Sequence, residues 1–135
     1  MKEKPREVAT AVPYNPGRQK FLILKRNFET DIHPGKWNFP GGSIEEDDRD
    51  AENAAKRELK EETGLTGELV RSGEPFKIDT EDGLFRVHPF LMLVEEEPEL
   101  NKEHLDTKWI NADELDELET VDGLKKDLRK VGIDL

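Results

Sequence analysis

Gly41-Gly42-Ser43-Ile44-Glu45, and after it Arg57-Glu58-Leu59-Lys60-Glu61-Glu62-Thr63-Gly64-Leu65, is the stretch that decides how this chain folds. A glycine pair reads as a turn feeding a helix, and that helix carries glutamates at positions 58, 61 and 62. Spacings of i, i+3 and i+4 bring the three carboxylates to one helical face. Clustered carboxylates repel one another unless a cation sits among them. The pattern therefore points to a hard divalent metal ion and, through it, to phosphate chemistry.

The neighbours sharpen this reading. With Leu59 set at zero and about 100° per residue, Glu62 falls near −60° and Glu58 near −100°, among Ala55 near −40° and Ala51 near −80°. Glu61 falls near −160°, beyond Ala54 at about −140°. Lys56 and Lys60 take the opposite side. A solvated helix mixes its glutamates with lysines and keeps them off the apolar stripe. Here at least two acids border the face that should pack, where an unpaired charge is costly. An acidic surface helix in an acidic protein is the plainer alternative.

The whole chain has 135 residues, the size of one domain with a real core. Apolar residues make up 33% and charged residues 39%, which is polar, yet periodic apolar segments argue against disorder throughout. The net charge of −11 and the absence of a basic stripe make nucleic-acid backbones poor partners. An anionic small substrate would need metal ions and a few local cations. With no cysteine, disulfides, thiol nucleophiles and cysteine-based metal sites are excluded. No apolar run reaches membrane-spanning length and no signal-peptide core follows Met1, so a soluble, cytoplasmic protein is expected.

Residues 7–12 read as a strand ending at Pro13, followed by the turn Tyr14-Asn15-Pro16-Gly17. Residues 21–24 form a buried strand. Residues 27–36 form a polar loop, and Trp37 and Phe39 read as core. The helix is expected over 50–63, with aspartates at 47, 48 and 50 suited to its start and Gly64 as its stop. Residues 68–78 read as strand broken at 73–75, 79–83 as a hairpin turn, and 84–94 as a long strand. An acidic loop over 95–107, a short strand over 108–110, and helices over 112–118 and 121–131 complete the chain. This order suggests an α/β fold, a mixed sheet packed between helices. His33, His88 and His104 show no ligand spacing.

These residues resemble the Nudix hydrolase family. Its signature is a glycine, five residues, a glutamate, seven residues, then Arg-Glu-hydrophobic-x-Glu-Glu-x-Gly-hydrophobic. Positions 57–65 match the second half in full. In the first half, five residues after Gly42 stands Asp48 rather than glutamate, and eight residues separate it from Arg57. The family glutamate supports the arginine, so Asp48, Asp47 and Glu46 compete as partners of Arg57. Lys36-Trp37-Asn38-Phe39-Pro40-Gly41-Gly42 is similar to the lead-in of the 8-oxo-dGTP-sanitising, MutT-like branch. Leu24-Lys25-Arg26 is similar to the strand end where that branch places a phosphate-contacting arginine, here Arg26. Lys102-Glu103 resembles a late loop whose glutamate reaches the metal site.

The resemblance implies one Nudix domain over residues 1–135, and a metal-dependent pyrophosphohydrolase acting on a nucleoside diphosphate linked to a group X. A nucleoside triphosphate, in ordinary or oxidised form, is the first expectation for that substrate. It implies Mg²⁺, or Mn²⁺, held by Glu58, Glu61, Glu62, Glu103 and the Gly41 carbonyl, with Arg57 in support. The general base is left among Glu61, Glu58 and Glu103. The proline typical of the ADP-ribose branch and the tyrosine typical of the dinucleoside-polyphosphate branch are both missing from their usual places after the box, which disfavours those substrates. A sensing module that binds a nucleotide without cleaving it is the competing class, and such modules commonly lose box glutamates that this chain keeps. Many relatives are homodimers; neither nucleic acid nor membrane is expected as a partner.

Overall fold

The computed structural model describes residues 4–26, 35–99 and 104–134. Strand β1 (Arg6–Asn15) turns back into β2 (Lys20–Arg26). Along both strands apolar side chains point to both faces: Ala9, Ala11, Leu22 and Leu24 pack on one side, Val12, Phe21 and Ile23 on the other. Strands apolar on both faces need cover on both. Helix α1 (Ala51–Thr63) supplies it on the first side through Ala54, Ala55 and Leu59. On the second side, a 3₁₀ helix (Ala112–Glu117) contributes Leu115, and α2 (Leu124–Lys130) contributes Leu124 and Leu128. The expected mixed sheet between helices is what the chain builds.

The remaining strands are β3 (Trp37–Asn38), β4 (Gly41–Ser43), β5 (Glu68–Ser72), β6 (Phe76–Thr80), β7 (Gly83–Leu93) and β8 (His104–Ile110). β7 runs parallel to β1, pairing residues 85–93 with 6–14, and carries β5 and β6 antiparallel on its other edge. β1 and β2 pair at their hairpin end, Tyr14 with Phe21 and Asn15 with Lys20, and then part. Residues 37–43 fill the split. β3 pairs with β2 at Leu24 and Lys25, whereas β4 pairs with β1 at Val8, Ala9 and Thr10. This wedge carries the glycine pair into the middle of the sheet, beneath the end of α1.

Several sequence expectations change. β1 continues through Pro13 to Asn15. The Ala11 N–H donates to Pro40 O, and Pro13, facing the same way two residues later, falls between the β4 and β2 pairings, so its missing N–H breaks no ladder bond. Gly41-Gly42-Ser43 is a short strand rather than a turn. β8 begins at His104, inside the expected acidic loop, because its pairing with β2 extends along the chain to Arg26. α2 begins at Leu124, three residues later than expected. The expected helix over 112–118 is a 3₁₀ turn, where the Asn111 N–H donates to Glu114 Oε1 at 3.1 Å. Phe39 is in the core, with Trp37 packed against it.

Candidate active site

Helix α1 sets the geometry of the site. Asp50 caps its start by accepting the Asn53 N–H at 2.8 Å, and Gly64, in the left-handed region at φ 76°, closes it with an N–H bond to Lys60 O. The bounds match the sequence expectation because both signals are local. With Leu59 packed inward, Glu62 is carried onto the buried side and is 3% exposed. One carboxylate oxygen, Oε2, accepts the Gly41 N–H at 2.8 Å, which ties the helix to the wedge. Glu58 is also largely buried, with its side chain 14% exposed, and Glu61 stands farther out in solvent.

The glycines of the wedge are required by close approach. A Cβ on Gly41 would lie 2.5 Å from Ala9 O, so no side chain fits against β1. A Cβ on Gly42 would lie 2.6 Å from Glu58 Oε1, so the space a side chain would fill is where the Glu58 carboxylate rests.

Arg57 resolves the competition left by the sequence. Its Nε and Nη2 donate to the two oxygens of Asp48, each at 2.9 Å, the bidentate geometry that suits a guanidinium. Asp48 is itself held in a turn, where its Oδ2 accepts the Glu45 N–H at 2.8 Å. The hydrogen bonds from Arg57, and then that of Glu45, hold the Asp48 carboxyl down at about 2. Reciprocally, the Asp48 bond pushes the Arg57 guanidinium above its ordinary value. Arg57 does more than the sequence suggested: its Nη1 donates to Glu58 Oε1 at 2.9 Å and to Glu61 Oε2 at 3.2 Å, and its Nη2 to Ser43 O at 3.1 Å. The i, i+4 spacing of Arg57 and Glu61 was the available signal for the second of these contacts.

Glu58, Glu61 and Glu62 line one end of a cleft of about 430 Å³, together with Gly41, Gly42 and Glu45. Its other end is mixed, with Arg6, Thr80 and Asp122 among apolar side chains, and the Arg6 guanidinium lies 5.1 Å from the Phe85 ring centroid. Phe76, Ile78, Phe85 and Val87, a cluster joined by Val8, form a wall there, with Asp127 of α2 beside it. Sequence reasoning missed this half. The wall depends on the register of β6 on β7, which pairs Phe76 with Val87 and Ile78 with Phe85. Asp127 left a trace that was legible: it shares a helical face with Leu124, Leu128 and Val131. The backbone of Arg26 closes β2, while its side chain lies outside the described residues, as does all of Glu103. His88 has its Nε2 2.8 Å from Glu7 Oε1, so it belongs to a strand-surface pair.

The donor chemistry fits a hard divalent cation, since the α1 side chains that line the cleft, Glu58, Glu61 and Glu62, all offer carboxylate oxygens. The Gly42 gap that receives the Glu58 carboxylate supports the same fit. Among the described residues no three His, Asp or Glu side chains converge as a metal cluster. Glu58 and Glu61 both accept from Arg57 Nη1, while Glu62 accepts the Gly41 N–H. Among the described residues no helix is long and apolar enough to cross a membrane.

Comparison with known proteins agrees with this architecture. The family model described as NUDIX domain matches residues 4–131. Among solved structures, a MutT protein from Methanosarcina mazei Go1 superposes with a TM-score of 0.76 at 24% identity, over 94% of this chain and 92% of that one. The NUDIX domain of Shewanella oneidensis NrtR, complexed with ADP ribose, gives 0.76 at 18% identity, over 96% and 87%. A C. elegans Ap4A hydrolase binary complex gives 0.73 at 23% identity, over 93% of each chain. At these identities the likeness is one of fold, and the two names that carry a ligand differ in it, ADP ribose in one and Ap4A in the other. Nudix hydrolases as a group use divalent metal ions. With the family model spanning nearly all of its length, and α1, which carries Arg57, Glu58, Glu61 and Glu62, seated on a glycine wedge, the chain belongs to the NUDIX domain family and is a hydrolase of pyrophosphate bonds.

Proposed function

We propose that residues 1–135 act as one cytoplasmic, Mg²⁺- or Mn²⁺-dependent hydrolase that converts a nucleoside triphosphate, ordinary or oxidised, to the monophosphate and pyrophosphate. The observation that carries this reading is that one cleft brings the carboxylates of α1 together with aromatic and aliphatic side chains of β6 and β7. A nucleotide has the same two-part character: an anionic polyphosphate and a flat heterocycle. Glu58, Glu61 and Glu62, with the Gly41 carbonyl and Glu103, would hold the cation. A divalent cation there offsets phosphate charge and acidifies the attacking water. The chain's own groups do the rest. Arg57, fixed by Asp48, orients Glu58 and Glu61; Glu61, Glu58 or Glu103 accepts the proton as water adds to phosphorus and the anhydride P–O bond breaks. Arg26 is assigned to the substrate phosphates on the resemblance of its strand end.

A panel of nucleotides incubated with Mg²⁺, with Mn²⁺ and with chelator tests this. It holds ordinary and oxidised nucleoside triphosphates, ADP-ribose and dinucleoside polyphosphates. Metal-dependent release of pyrophosphate from a triphosphate is the expected result. Preferred cleavage of ADP-ribose or a dinucleoside polyphosphate would overturn the substrate assignment while keeping the hydrolase.

A further inference from the structure

Among the described residues that line the cleft, Arg6 is the one cationic side chain. Arg18, Arg57 and Arg86 each pair with an aspartate or a glutamate. Arg6 has no carboxylate partner among the described residues, in a chain of 32 acids and 21 bases. Its guanidinium rests on the Phe85 ring, and its Nη2 donates to Asp82 O at a long 3.4 Å. A ring contact engages the charge and not the N–H groups. Most of the five donors of the fork are therefore left to something else. The position is also specific. Thr10, Val8 and Arg6 follow one another along the cleft face of β1. Thr10 pairs with Gly41 of the wedge, whereas Arg6 pairs with Phe85 of β7, on the opposite edge of β1. The strand between Thr10 and Arg6 spans about 13 Å. The cleft thus has carboxylates for a cation at one end and a partly unused cation at the exposed rim of the other.

We propose that Arg6 is a specificity-determining residue that binds a second phosphate, carried on a ribose hydroxyl, so that the preferred substrate is a nucleoside 5′-triphosphate with an additional 2′- or 3′-phosphate. The inference rests on the nucleoside triphosphate reading above and deepens it. A base flat against the wall offers Arg6 no charge, and the 5′ phosphates belong at Glu58, Glu61 and Glu62. A phosphate on the ribose leaves the cleft between the two, at the rim where Arg6 stands. A guanidinium fork takes phosphate oxygens in pairs, with charge and geometry both matched. Asp122, on the same end of the cleft, and the net charge of −11 would otherwise repel a substrate with this extra charge. Selection for it therefore depends on Arg6. At an exposed rim that selection is electrostatic and weakens as salt is added.

The test uses the full chain with Mg²⁺ and two series, adenosine and guanosine 5′-triphosphate, each alone, with a 2′-phosphate and with a 3′-phosphate. Within a series, wild type is expected to favour one phosphorylated form over the parent by at least tenfold in kcat/KM, chiefly through KM, and the isomer favoured names the ribose position. The ratio should shrink as KCl is raised. In Arg6→Met, which keeps an unbranched stem over Phe85 and removes the charge, the ratio should collapse to one or below. In Arg6→Lys, which keeps the charge and loses the fork, part of it should remain. Thermal melting accompanies both variants. Equal kcat/KM for parent and phosphorylated forms in wild type, or an undiminished ratio in folded Arg6→Met, would overturn the inference and leave the hydrolase reading standing. Hydrolysis of no member of either series would overturn the triphosphate reading and this inference with it.

Discussion

At the scale of single residues, the site is an arrangement of acids around one guanidinium. Glu61 is more exposed than Glu58 and Glu62, with its side chain 56% accessible, so it can change without disturbing the core. Glu61→Gln should abolish metal-dependent hydrolysis and leave the melting temperature within a few degrees of wild type; full activity would remove Glu61 from the site. Asp48 is different, because its partner is structural. Its carboxyl titrates at about 2 in the fold against 3.8 for an unperturbed group. A lowered value means that the folded state holds the proton more weakly, so the stabilisation is complete above 3.8 and is lost as pH falls toward about 2. Urea unfolding across this range should show a shallower acid loss in Asp48→Asn than in wild type. At neutral pH the same variant should be less stable by about 1–3 kcal/mol, the scale for breaking a charged hydrogen-bonded pair. An identical acid profile in the variant would mean that Asp48 is not anchored in solution as it is here.

At the scale of elements, the wedge of β3 and β4 and the helix above it form one device. Gly42→Ala keeps a strand conformation open to any residue, but its Cβ would displace the Glu58 carboxylate, 2.6 Å away. Activity should fall more than tenfold while the fold is kept, because the group that must give way is the flexible end of a side chain; activity equal to wild type would show that Glu58 can act from elsewhere. How far this was legible depended on range. α1 was readable to within a residue because its cap, its stop and its 3.6-residue stripe all lie within the segment. The three glutamates were readable for the same reason. β4 was not, since Gly41-Gly42 becomes strand only when β1 lies alongside to pair with it. The start of β8 at His104 was hidden in the same way, behind a register set by distant β2. The aromatic wall was hidden too, because alternation places Phe76 with Ile78 on one face of β6, and Phe85 with Val87 on one face of β7, but only the register between the two strands joins the pairs.

At the scale of the whole molecule, both helical layers and the split sheet meet at β1, which touches β2, β4 and β7. Its parallel pairing with β7 joins segments far apart in sequence: the ion pair between Arg86 and Glu7 closes a separation of 79 positions. Carboxylates from α1 and the apolar wall from β6 and β7 face one another across the cleft only after that long loop has closed. Such closures are slow relative to helix formation and hairpins, since chain entropy must be lost before the contact offsets it. In refolding from denaturant, then, helical signal from α1 should return before catalysis, and catalytic activity should recover with the slowest tertiary phase. Activity regained in step with the first helical signal would contradict this. The cleft, unlike the helix that lines it, therefore exists only where β1 has met β7.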